Sequence, residues 1–119
     1  MPKRPRVAPE KAREILRELS PSQAFYFYEG IGAPSGTTAR SLGEFVERVS
    51  TVSSASLQFH MSNQDFERWI TMLGDGDLTA KLASIRASRV TGDELRPRLL
   101  VTVKNRVDQL NRARARQPR

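Results

Sequence analysis

Five features of this sequence have residue types and spacings that bear on chemistry. The first is the loop GIGAPSGTT, residues 30–38, which invites a phosphate-binding reading. A phosphate loop of the G-x-x-x-x-G-K-[ST] type needs a first glycine and a lysine. Ile31 stands in place of that glycine and Thr37 in place of the lysine, so a turn leading into a helix cap is the expected reading. The second is GDGD, residues 74–77, which offers Asp75 and Asp77 at alternate positions but Thr79 at the third ligand position of a calcium loop. A helix stop followed by a helix cap is expected there. The third is His60, the single histidine, with Asp65 and Glu67 close by in sequence. A zinc site needs three or four ligands, so His60 is expected to be structural, packed beside Phe59 and hydrogen-bonded to backbone. Ser41 and Ser56 have no base in a recognisable triad pattern. No catalytic residue, metal or cofactor is expected, and no small-molecule substrate.

The fourth feature is the aromatic run Phe25-Tyr26-Phe27-Tyr28. Exposed rings can stack on bases, but alternation assigns the phenylalanines to a core and leaves the tyrosines facing away from it. The fifth is the basic ends. Lys3, Arg4 and Arg6 lie in MPKRPR, and Arg112, Arg114, Arg116 and Arg119 in the closing NRARARQPR, with no acid in either segment. The formal charge is +7, and between residues 7 and 111 basic and acidic groups balance at 13 each, so the ends carry the whole excess. Sixteen basic residues are arginine, whose planar fork suits phosphate. In an extended chain Arg112, Arg114 and Arg116 share one side, about 6.6 Å apart. On a continued helix Arg112 and Arg116 share a face, with Lys104 not far off the same line. A segment of this composition is expected to order only on a polyanion.

The elements that position these residues follow from periodicity. The chain of 119 residues, 38% hydrophobic, suits one domain over residues 9–110, with basic arms at 1–8 and 111–119. The expected class is mainly α: a compact small helical domain with a short extended segment near residues 24–29. A first helix is predicted from Pro9 to Leu19, ended by Ser20-Pro21. Ser41 and Glu44 form a capping box for a helix to about Ser50, with Leu42, Phe45, Val46 and Val49 on one stripe. SSASLQFHM reads as a short helix, with a strand as the alternative. Ser62 and Asp65 are expected to cap the next helix, which carries Phe66, Trp69, Ile70 and Leu73 inward and stops at Gly74. Asp77 is expected to start another, with Leu78, Leu82 and Ile85 inward. Thr91 and Glu94 box the last helix, with the stripe Leu95, Leu99, Val103, Val107 and Leu110; Pro97 is expected to kink or restart it.

Cysteine is absent and no apolar run reaches the roughly 20 residues of a membrane span, so a cytoplasmic protein without a membrane role is expected. Gly36-Thr37, the runs Ser41 to Phe45, Ser56 to His60, Asp65 to Ile70 and Leu73 to Leu78, and the leucine-rich helix Leu95 to Leu110 with its internal Arg106 together resemble a small archaeal domain family of unknown function. The resemblance covers about residues 24–110 and implies an archaeal origin and no activity. Combined with the basic ends, it leads to the expectation of an RNA-binding structural protein, an archaeal ribosomal or other ribonucleoprotein subunit. Such a protein would meet rRNA phosphates through Lys3, Arg4, Arg6, Lys104, Arg112, Arg114, Arg116 and Arg119, beside neighbouring ribosomal proteins. The alternatives are a DNA-binding chromatin or transcription protein, and a protein-binding adaptor with incidental basic tails.

Overall fold

The computed structural model describes residues 7–90 and 92–115. Among these, six α-helices enclose a two-stranded sheet: α1 Pro9–Leu16, β1 Phe25–Tyr28, β2 Pro34–Ala39, α2 Leu42–Val49, α3 Ser54–Ser62, α4 Asp65–Leu73, α5 Gly76–Ala87 and α6 Leu95–Ala115, the last entered through a 3-10 turn at Gly92–Glu94. The mainly α class expected from the sequence is the one observed.

The core is built by the predicted stripes. Phe45 and Val49 of α2, Phe66, Trp69, Ile70 and Leu73 of α4, Leu78, Leu82 and Ile85 of α5, and Leu95, Leu99, Val103 and Leu110 of α6 join one buried cluster. Phe25 and Phe27 enter it from β1, their rings 4.8 Å apart edge to face. Burying such side chains stabilises by about 1.5–3 kcal/mol each. Trp69 is oriented within the core because its indole N–H donates to the Gln23 carbonyl at 2.9 Å. Ser41 caps α2 as predicted, accepting the Glu44 N–H at 3.1 Å while Glu44 reaches back to the Arg40 N–H.

Several expectations are corrected. α1 stops at Leu16, three residues early, because the Leu19 N–H is drawn away to the Arg40 carbonyl at 2.7 Å and the Leu19 side chain into the core. The GIGAPSGTTA loop contains a strand: β2 pairs antiparallel with β1, Phe25 opposite Ala39 and Tyr26 opposite Thr38. Backbone pairing needs no large side chains, which is why a run of small residues concealed it; the register shifts between Tyr26 and Tyr28. Ser62 and Asp65 do not cap α4. Ser62 closes α3, Gln64 turns the chain at φ 63°, and the Asp65 carboxylate is engaged by His60 and Arg68. Asp75, not Asp77, caps α5. α6 is unbroken through Pro97, which lies in its first turn, where its missing N–H has no intrahelical partner to lose. Thr91, half of the expected capping box, lies outside the described residues.

The largest departure from the stripe pattern is on α6, where Arg106 is buried and Val107 only half-buried. The Arg106 guanidinium donates through Nε to Asp75 Oδ2 at 2.7 Å and through Nη2 to Asp75 Oδ1 at 2.8 Å, with side chains 7% and 0% exposed. Asp75 Oδ1 also accepts the Leu78 N–H at 3.1 Å, so one carboxylate caps α5 and ties it to α6. Replacing Arg106 by Met strands that carboxylate in the core and is expected to cost about 3–5 kcal/mol in denaturant unfolding. Adding Asp75→Asn, which keeps the cap without the charge, should recover a large part of the loss. Equal stability of Arg106→Met and the native chain would show the pair to be idle.

Candidate nucleic-acid interface

α1 packs along α6, and Val7 and Ala8 at the start of the described chain line the same cavity as Arg106 and Gln109 of α6. That cavity holds about 780 Å³, with Lys11 and Lys81 on its walls and the Asp75–Arg106 pair among its lining residues. Ala115 lies six residues beyond Gln109, about 9 Å further along the helix. Both basic segments therefore leave the body from the neighbourhood of one cleft.

Lys3, Arg4, Arg6, Arg116 and Arg119 lie outside the described residues. Of the other predicted contacts, Lys104 is exposed and bonded to Asp108 at 3.2 Å, one turn along α6. Arg112 is exposed, and among the described residues it makes no ion pair. Arg114 is exposed and donates to the Asn111 side chain at 2.6 Å. The expectation of a C-terminal arm beginning at residue 111 is corrected for residues 111–115, which continue α6. Ala113, 2% exposed, packs into the core and holds the helix on. Two residues apart on a helix means about 200° of rotation, so Arg112 and Arg114 diverge instead of sharing a side. Arg98 was missed. It is exposed, fourteen residues before Arg112, and that separation is close to four whole turns. The two arginines thus share one edge of α6 about 21 Å apart. The spacing was readable in the sequence, but only for a helix known to run through residue 115.

His60, on α3, packs beside Phe59 and is hydrogen-bonded to backbone, as expected. It is 3% exposed. Its Nδ1–H donates to Asp65 Oδ2 at 2.8 Å, and its Nε2 accepts the Tyr28 N–H at 2.7 Å. Phe25 and Phe59 stand edge-on to the ring at 4.8 and 5.1 Å. Both nitrogens are engaged, so the ring as placed offers none to a metal or substrate. Tyr26 is 46% exposed, its hydroxyl donating to the Pro21 carbonyl, and Tyr28 is half-buried.

Over residues 8–104 the chain matches the model of a family of unknown function, DUF5752, and it belongs to that family. The match begins after the first basic segment and ends before the second. No curated protein and no solved structure matches the chain. No described helix is long and apolar enough to cross a membrane.

Burial lowers the His60 pKa from 6.5, outweighing the Asp65 carboxylate, which raises it. The unfolded chain therefore takes up this proton first. The stability from neutral His60 is complete above pH 6.5 and is lost as pH falls from there through the lower folded value. Chemical denaturation at pH 7.5 and 5.5 should show the native chain losing more stability on acidification than His60→Gln, which starts less stable. Identical pH profiles for the two would contradict this assignment.

Proposed function

We propose that this protein binds RNA as a structural subunit of a ribonucleoprotein particle, an archaeal ribosome being the particle that best fits a small globular body with basic extensions. The observation that carries the reading is convergence. The entire net charge of +7 resides in two acid-free ends, and the body brings the roots of those ends to one cleft. Seven like charges launched from one place would repel one another and would be relieved by a polyanion, whose condensed counterions are released on binding. Arg98 and Arg112 extend the positive edge along α6. The reading assigns no catalytic step, cofactor or small-molecule substrate, and places the protein in the cytoplasm.

Because α6 is regular through Ala115, a second reading is favoured by a specific observation: a helix can enter the major groove of duplex DNA, whereas the major groove of duplex RNA is too narrow for readout. Competition between a single-stranded RNA and a DNA duplex of equal length separates the two, the first reading predicting preference for RNA.

Affinity should fall steeply with salt. Each single-strand phosphate neutralised contributes about −0.7 to the slope of log affinity against log salt, so seven arm charges set a limit near −5, with about −3 to −4 expected for partial engagement. Changing Arg112, Arg114 and Arg116 to glutamine should flatten the slope by about two units. Lysine at the same positions should keep the slope and weaken binding. An unchanged slope in the glutamine variant would reduce the C-terminal end to a solubilising tail.

A further inference from the structure

The glycine–threonine segment that fails as a phosphate loop returns in the fold beside two arginines. A cavity of about 470 Å³ on the β2–α2 side is lined by Gly36, Thr37 and Thr38 of β2, by Arg40, and by Glu44, Arg48 and Thr51 of α2 and its end. Both guanidinium groups are anchored through Nε: Arg40 donates to the Leu19 carbonyl at 3.1 Å and Arg48 to the Thr38 carbonyl at 3.0 Å. That anchoring leaves the outer N–H groups for another partner. Among the described residues the Nη atoms of Arg48 make no hydrogen bond or ion pair, and those of Arg40 make only a 4.0 Å approach to the exposed Glu18. The hydroxyls of Thr37 and Thr38 are likewise without a partner among the described residues. One carboxylate lies in the cavity, Glu44, and its Oε1 is occupied by the Arg40 N–H at 2.9 Å. The formal charge of the lining is therefore +1.

We infer that this cavity is a phosphate-binding site, with Arg40 and Arg48 supplying charge-assisted N–H donors and one of the strand neighbours Thr37 and Thr38, whose side chains point to opposite faces of β2, supplying a hydroxyl. Arginine's fork matches the oxygens of a phosphate and is here pre-oriented by its Nε bond, so little side-chain freedom remains to be lost on binding. Half-burial of Arg48 strengthens its contacts relative to a fully solvated arginine. The Nε bonds account for the anchoring of Arg40 and Arg48 and leave the outer N–H groups of both beside the same cavity. The phosphate belongs either to a nucleic-acid backbone or to a small phosphorylated molecule. None of its lining residues belongs to the terminal segments.

The test is an NMR titration of the full chain, following the Nε–H signals of Arg40 and Arg48 and the amides of residues 36–38. Two probes are used, inorganic phosphate and a short oligouridylate, each against sodium chloride of equal ionic strength. Saturable shifts at these signals, with Nε–H of the exposed Arg13 and Arg89 as reference, are the expected result with phosphate. Arg40→Gln and Arg48→Gln should each weaken it about tenfold or more, the loss of one hydrogen bond to a charged group. Arg48→Lys guards against a fold defect, since it keeps the charge while losing the fork. If the oligouridylate shifts the same signals and phosphate competes, the source is a nucleic-acid backbone. If phosphate acts and the oligonucleotide does not, the source is a small phosphorylated molecule. Glutamine changes at Arg112 and Arg114 should leave these shifts intact even if they abolish RNA binding, which keeps this site distinguishable from the arms. Shifts no larger than in chloride, or equal at all surface arginines, would overturn the inference.

Discussion

The arrangement of this molecule depends on one buried charge pair. Asp75 and Arg106 are both withdrawn from water, and removing two such groups from solvent costs several kcal/mol per ion unless geometry and extra hydrogen bonds offset it. Here they do. The carboxylate accepts both N–H groups of the guanidinium fork and the Leu78 amide in the first turn of α5, and Arg106 Nη1 donates to Gln109 at 2.8 Å. Sliding α6 by one residue would leave Asp75 without its partner and Arg106 without an exit to water. Apolar stripes tolerate small displacements; this pair does not. It fixes the α4–α5 turn against the middle of α6, and with it the level at which α1 and the far end of α6 meet.

That level decides where the described residues next to the charged ends lie. The cleft bordered by Val7, Ala8 and Gln109 sits beside the pair, so the constraint that registers the core also gathers the attachment points of both arms. Burial of Ala113 carries the rigid part of α6 past the family's matched span, to within four residues of the chain end. The family body thus acts as a frame, and the features on which the RNA reading rests lie largely beyond it.

Much of this frame was legible in the sequence because helices bury stripes and caps use few residue types. Phe66, Trp69, Ile70 and Leu73 gave α4 by spacing, Ser41 and Glu44 gave the start of α2, and Gly74 gave a stop. What escaped had a tertiary cause. Asp75 and Asp77 are equal candidates for a cap until Arg106 selects one. Asp65 reads as a cap until His60 takes it. β2 has no hydrophobic alternation, since its ladder is made by backbone, and its existence is decided by the FYFY strand beside it. Of the two conformations open to residues 111–115, the helical one is fixed by Ala113, a small residue whose burial no local pattern announces. The cavity formed by Arg40, Arg48 and the threonines was invisible for the same reason, because its parts meet only once β2 lies against α2.

The central claim is that two ends rooted at one cleft grip a single polyanion, which makes the second contact intramolecular and raises affinity beyond either end alone. Calorimetric titration with a twelve-nucleotide single-stranded RNA tests it most directly, comparing the full chain with chains lacking residues 1–6, residues 116–119, or both. The account predicts one RNA per protein, a loss from either truncation, and a combined loss that removes most of the salt dependence. Two RNAs per chain, or undiminished binding after both truncations, would contradict it.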